Sequence, residues 1–220
     1  MKKNYNKKYL KEINSVYEGI HTLIVKRLSE FRILWKNADD KKLFIELSFC
    51  LFTPQSNAKS CWKAVEILLE KDLIYNGSSS QISEKINLVR FRNNKASYLV
   101  EARGKFFGKN SISLRSALES QADSFLKREW LVSNIKGMGY KEASHYLRNI
   151  GLGEDIAILD RHILKNMVKL GIIDEIPKTL SKANYLKLES LLNEFSESSS
   201  IPMGHLDFVL WFKEAGDVFK

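Results

Sequence analysis

Residues 134–161 read NIKGMGYKEASHYLRNIGLGEDIAILDR, and their pattern decides how the rest of the chain is read. Gly137 and Gly139 bracket Met138, and glycine tolerates left-handed backbone and close approach by another chain, so a tight turn belongs here. Behind it, Ala143, Tyr146, Leu147 and Ile150 recur at the spacing of one helical face. Ahead of it, Phe125, Leu126, Trp130 and Leu131 form a similar stripe. A helix, a Gly-x-Gly turn and a second helix allow two readings. The turn amides and the positive end of the second helix can grip a DNA phosphate without reading sequence. Equally, the segment can be an ordinary helix connection with a glycine C-cap.

Lys141 and Asp160 favour the first reading. Lys141 falls in the first turn of the second helix, where its amine is a candidate for Schiff-base chemistry; taken singly, it could be a solvated surface lysine. Asp160 follows the return through Ile156, Ala157, Ile158 and Leu159 and precedes a helix that begins Arg161-His162. It can cap that helix and still offer one oxygen to a cleft. Taken singly, it could be a simple N-cap.

The whole chain is consistent with a basic, mainly helical protein. Its 220 residues suffice for one large or two small packed units, and 44% hydrophobic content supports a substantial core. A net charge of +9 favours a polyanionic partner, of which nucleic acid is the commonest for a basic soluble protein, although a solvated basic surface would give the same number. A membrane-surface role is disfavoured, because no long segment opposes a basic face to an apolar one. MKKNYNKKYLKEI lacks an apolar signal core and no run reaches membrane-spanning length, so a cytoplasmic protein is expected. Cys50 and Cys61, in apolar helical settings, read as buried free thiols. His21, His145, His162 and His205 show no ligand spacing, so no metal site is expected.

Only Pro54, Pro177 and Pro202 interrupt the helical periodicity, which predicts an all-α fold. Ile13, Val16, Ile20, Leu23 and Ile24 mark a long first helix reaching Trp35. Asp39 and Asp40 cap a very apolar second helix over 41–51, and Thr53-Pro54 is expected to start the third. Residues 76–80 read as a surface turn, 95–107 and 111–118 as helices, 194–200 as a polar loop, and 201–220 as a final helix and tail.

Four stretches together, ELSFCLFTPQSNAK, GMGYKEASHYLRN, AILDRHIL and HLDFVLWFKEAGDVFK, carry a resemblance. The chain resembles the helix-hairpin-helix DNA glycosylases, and most closely the second, prokaryotic family of 8-oxoguanine DNA glycosylase/AP lyases, from about Leu43 onward. That resemblance implies two helical domains flanking an active-site cleft. One is a middle domain over 33–151 that ends in the helix-hairpin-helix at about 122–151. The other joins 1–32 to 152–220. Some members of the wider superfamily hold a four-cysteine iron-sulfur cluster near the C-terminus, and the lack of cysteine after Cys61 excludes it here. The resemblance implies no cofactor, a monomer acting on the prokaryotic nucleoid, and a double-stranded DNA partner containing 8-oxoguanine.

It also assigns roles. Breaking an N-glycosidic bond leaves positive charge on the sugar, which the Asp160 carboxylate would stabilise. The Lys141 amine would attack C1′ and form an imine that permits β-elimination. Gln55, with Ser56 and Asn57 behind it, would plug the space left by the flipped base, whereas the bland reading of Pro54-Gln55-Ser56 is a helix start. Phe91, in the basic RFRNNK segment, and Trp211 would stack on the base, although core packing is the usual use of an aromatic. Asp207 would hydrogen-bond the base edge or cap the last helix. Lys220 would help separate 8-oxoguanine from guanine at N7 and O8, against the alternative of a frayed tail. Gly137, Met138, Gly139, Arg92 and His162 complete the expected DNA surface. Two other functions stay open: a related glycosylase for a different damaged base, and a noncatalytic DNA-binding module built on the same hairpin.

Overall fold

The computed structural model describes residues 5–220, and among them every regular element is an α-helix. In chain order these are α1 (Lys7–Asn37), α2 (Asp40–Phe52), α3 (Ala58–Glu70), α4 (Leu73–Asn76), α5 (Ser79–Lys85) and α6 (Arg92–Phe107), followed by α7 (Leu114–Glu119), α8 (Ser124–Asn134), α9 (Tyr140–Asn149), α10 (Arg161–Leu170), α11 (Lys182–Ser199) and α12 (Met203–Ala215). Local chemistry sets many of the starts. The side chains of Asn6, Asp39, Asn57, Ser113, Asp123, Asp160 and Ser181 each accept a backbone N–H in the first turn that follows. Ser78 and Gln81 add a reciprocal capping box at α5.

Packing produces two hydrophobic cores. One runs from Ala38 to Ile156 and gathers α2 to α9 around α2, whose residues Leu43, Phe44 and Leu47 and the stretch 49–52 are all buried. The other joins Ile13, Ile24, Leu28 and Phe31 of α1 to Ala157 and the buried faces of α10, α11 and α12. Helix α1 spans both, because Leu34 and Trp35 near its end pack on the first core. The chain passes from one core to the other between Ile156 and Ala157.

That crossing is fastened by polar contacts out of reach of water. Arg128 of α8 forms a two-pronged ion pair with Glu189 of α11, at 2.6 and 2.7 Å. The same carboxylate accepts the Ala157 N–H at 2.8 Å. Tyr185 Oη donates to the Ala157 carbonyl at 2.7 Å and accepts from the Leu159 N–H at 3.2 Å. Ser144 of α9 lies within hydrogen-bond reach of both Arg128 and Tyr185.

Several expectations are corrected. Helix α3 starts at Ala58 and not at Thr53-Pro54, because the Thr53 hydroxyl is used to close α2 on the Cys50 carbonyl while Asn57 supplies the cap. Residues 194–199 continue α11 and do not form a loop. Phe195 and Ser196 are buried there, and serine hydroxyls bond back onto local carbonyls. Ser79 and Ser80 are helical, since the capping box starts α5 inside the expected turn. Helix α6 begins at Arg92, ahead of the expected 95, and α7 at Leu114, after the expected 111. Helix α8 buries Ser124, Arg128 and Leu131, leaving Phe125 and Leu126 44% and 47% exposed. Trp130 and Leu131 pack on the first core as the stripe requires, and at the start of the helix the buried place goes to Arg128 in place of Phe125 and Leu126.

Removing one partner of a buried ion pair leaves the other charge uncompensated, so Glu189→Ala is expected to cost about 3–5 kcal/mol in chemical denaturation. Glu101→Ala, which opens the solvent-exposed bridge to Lys136, should cost under about 1 kcal/mol. Equal losses in the two variants would show that the Arg128 pair does not fasten the cores.

Candidate active site

A cleft of about 870 Å³ opens where the two cores meet. One wall comes from the turn 53–57 and from α9, the other from Ile158–Ile163 and from Asp207, Phe208 and Trp211 of α12, with Phe219 and Lys220 beside them. Lys141 reaches it because Gly139 starts α9 with no side-chain cap, which puts position 141 in the first turn. Its Nζ donates to Thr53 Oγ1 at 3.3 Å and lies 3.6 Å from a Glu142 oxygen. Asp160 caps α10 by accepting the N–H groups of His162 and Ile163 at 2.7 and 2.8 Å. Both bonds use Oδ1, so Oδ2 takes neither.

The hairpin before α9 is shaped by a real backbone requirement. Gly137 has φ +83°, and a Cβ there would come within 2.2 Å of the Tyr98 ring. Gly139 is extended, and it lines the cleft. Met138 between them is buried in the first core, and its N–H donates to the Ile135 carbonyl. The hairpin therefore offers the outside glycine backbone and the uncapped start of α9 rather than a methionine side chain.

Of the residues singled out by sequence, Gln55, Ser56, Asn57, Gly139, Lys141, Asp160, His162, Asp207, Trp211 and Lys220 line the cleft. Phe91, Arg92, Gly137 and Met138 do not. Phe91 is 53% exposed in a left-handed conformation before α6, with the Arg90 guanidinium 5.5 Å from its ring. Trp211 meets the His162 ring edge-on at 6.4 Å.

Two cleft groups are tied to charges that residue order alone did not single out. Asp207 pairs with Arg148 at 2.9 Å. Burial pushes its carboxyl above the usual range, Arg148 opposes that shift, and Asp160 adds to it. Lys220 Nζ bonds Glu46 Oε1 at 2.5 Å and sits 3.2 Å from the centre of the Trp62 ring. Burial draws its ammonium below the ordinary lysine value, and Glu46 works against this. His145 is buried in the wall with both ring nitrogens unpartnered among the described residues, edge-on to Phe49. Burial, then Arg148 and Lys141, hold it well below the ordinary histidine pKa, against a weaker opposing pull from the Lys220 backbone.

A signal for these residues was present. Lys141, His145 and Arg148 stand at i, i+4 and i+7, one face of α9. Glu46 is a lone acid inside the apolar run of α2.

Residues 24–201 match a family model described as 8-oxoguanine DNA glycosylase. An 8-oxoguanine DNA glycosylase/AP lyase of Fusobacterium nucleatum is 49% identical over 220 residues, covering 100% of both chains. The crystal structure of a Methanocaldococcus jannaschii 8-oxoguanine glycosylase/lyase in complex with a 15mer DNA containing 8-oxoguanine superposes with TM-score 0.86 at 36% identity, covering 96% of this chain and 99% of that one. The 8-oxoguanine DNA glycosylase of Thermotoga maritima superposes with TM-score 0.85 at 36% identity, covering 97% and 99%.

His145 provides a test of the site's electrostatics. A histidine kept neutral in the fold but free to protonate when unfolded makes the unfolded state bind more protons below its ordinary value of 6.5. Stability is then lost as pH falls below about 6.5. His145→Phe is expected to melt no lower than the parent at pH 7, because an unsatisfied polar ring is removed. It should also flatten the fall in melting temperature between about pH 7 and pH 5. A slope equal to the parent's would mean that His145 is not held neutral.

Proposed function

The chain belongs to the 8-oxoguanine DNA glycosylase family, and from that membership we propose that it excises 8-oxoguanine from duplex DNA and cuts the abasic strand through a Lys141 imine. The observation that carries the assignment is that Lys141 and Asp160, from opposite walls, line one cleft together with Trp211 and Lys220.

The cleft residues supply each part of the reaction. As the bond between C1′ and the base lengthens, positive charge builds on the sugar, and the Asp160 carboxylate stabilises it electrostatically. The base leaves with the bonding electrons and takes up a proton. The Lys141 amine bonds to C1′ and loses a proton, and opening of the sugar ring gives the imine. The imine acidifies the C2′ proton. Its removal expels the 3′ phosphate oxygen by β-elimination, and water then releases the enzyme.

The remaining cleft residues fit the handling of a flipped nucleotide. Trp211 offers a stacking face, and Lys220 and Asp207 offer polar contacts to the base edge. Gln55 fills the vacated stack at the cost of a left-handed conformation, with Ser56 and Asn57 beside it. Gly137, Gly139 and the start of α9 hold backbone phosphate, while Arg92, Phe91 and His162 extend the DNA surface. The division into two helical domains, 33–151 and 1–32 plus 152–220, is in keeping with two cores, although Leu152 and Ile156 pack on the first core and move the passage between them to 156/157. One chain supplies the full set of residues, which supports action as a monomer. No helix among the described residues is long and apolar enough to cross a membrane, in keeping with work on DNA in the prokaryotic cytoplasm.

Lys141→Gln should abolish the borohydride-trapped adduct on an 8-oxoguanine duplex while DNA affinity stays within a few-fold. Asp160→Asn keeps an N-cap side chain, so it should fold and bind damaged DNA yet lose about 3 kcal/mol or more of transition-state stabilisation. Trapping by Lys141→Gln, or excision by Asp160→Asn near the parent rate, would sink the corresponding role.

A further inference from the structure

The turn between α2 and α3 is gripped from behind by a lysine that no step of the reaction uses. Lys95 of α6 is 4% exposed, and its Nζ donates to the Phe52 carbonyl at 2.6 Å, the Pro54 carbonyl at 2.7 Å and Ser56 Oγ at 3.1 Å. An ammonium has three N–H bonds to satisfy, and these three oxygens take all of them. Burial lowers the Lys95 pKa to about 8, the largest influence on it. A charge placed where burial opposes it stays only because those oxygens are there.

The geometry held in this way is unusual. Gln55 lies at φ +53°, a region that a residue with a side chain occupies only when its surroundings over-determine it. Two of the Lys95 acceptors, Pro54 O and Ser56 Oγ, flank Gln55 on either side. Ser56 Oγ also accepts the Arg90 N–H at 3.0 Å, tying the turn to the segment ahead of α6. On its other face the turn presents the Thr53 hydroxyl, which accepts from Lys141 Nζ. One short turn thus joins a buried lysine to the amine at the centre of the cleft.

We propose that Lys95 is a positioning residue for both halves of the reaction. It sets the turn so that Gln55 projects into the vacated stack, and so that Thr53 aims the Lys141 amine at C1′. This rests on the roles assigned above to Gln55 and Lys141. A purely structural tie at the end of α2 would instead affect melting alone.

The test compares the parent with Lys95→Met, which keeps the stem's bulk and removes the three donors. Two readouts are taken at a temperature where melting curves show both proteins folded. The first is fluorescence of 2-aminopurine opposite a tetrahydrofuran abasic analogue, which brightens when the orphaned base is unstacked. The second is the rate of borohydride trapping on an abasic-site duplex. The parent should brighten the probe and trap, whereas Lys95→Met should lose most of the brightening and trap at least tenfold more slowly. If Lys95→Met fails to fold, Lys95→Arg, which keeps the charge but cannot direct three N–H bonds from one nitrogen, should shift both readouts several-fold. Both readouts within twofold of the parent in a folded variant would overturn the inference. A parent that fails to brighten the probe would instead overturn the Gln55 assignment, and the inference with it.

Discussion

The ion pair between Arg128 and Glu189 is the constraint on which the two-core arrangement depends. Two opposite charges removed from water are tolerated only when geometry and further hydrogen bonds satisfy them. Here the second carboxylate duty is to accept the Ala157 N–H, at the residue where the chain passes from one core to the other. Tyr185 holds the next turn of the same crossing through Ala157 and Leu159, and Ser144 links both to α9. Asp160 is therefore presented by a segment whose backbone is fixed at Ala157 and Leu159. Lys141 lies one turn ahead of Ser144 on α9, so the same network registers the two walls of the cleft against each other.

The cleft itself is a balance of unlike charges in a poorly solvated space. Arg148 answers Asp207, Glu46 answers Lys220, and Asp160 shares its Oδ1 with two helix amides. Each tie freezes a long side chain in one position, which is what recognition of a polar base edge requires, since mismatched polar groups are then left unpaired. Against this set, Lys141 makes only a long bond to a hydroxyl and a loose approach to Glu142. Thr53 thus sets the direction of the amine without locking it in an ion pair as tight as those around it. His145 is the opposite case, a buried ring with no side-chain partner among the described residues, kept neutral by burial and by the cations Arg148 and Lys141.

Much of this was legible in residue order because it depends on local rules. The Gly137 turn, the buried face Ala143–Tyr146–Leu147–Ile150 and the Asp160 cap follow from backbone sterics, helical period and hydrogen-bond capping. The departures arose where distant contacts outweighed local preference. Phe125 and Leu126 face outward because the buried place at the start of α8 goes to Arg128, whose partner lies 61 residues away. Serines 196, 198 and 199 extend α11 because its end packs on the second core. The left-handed backbone of Gln55 was not legible, because the groups around it are held by Lys95, 39 to 43 residues further along the chain. Glu46 and Arg148 were missed as site residues for a related reason. Each is a charge in an apolar stretch, and the partner that explains it lies more than fifty residues away.

The central claim is that the Lys141 amine becomes covalently joined to the sugar of the damaged nucleotide. Its most direct test is peptide mapping by mass spectrometry of the unmodified protein after borohydride reduction on an 8-oxoguanine duplex. The account predicts a reduced deoxyribose remnant on the peptide that contains Lys141, with fragment ions locating it at that residue. A remnant on Lys95, on Lys220 or on any other amine would contradict it.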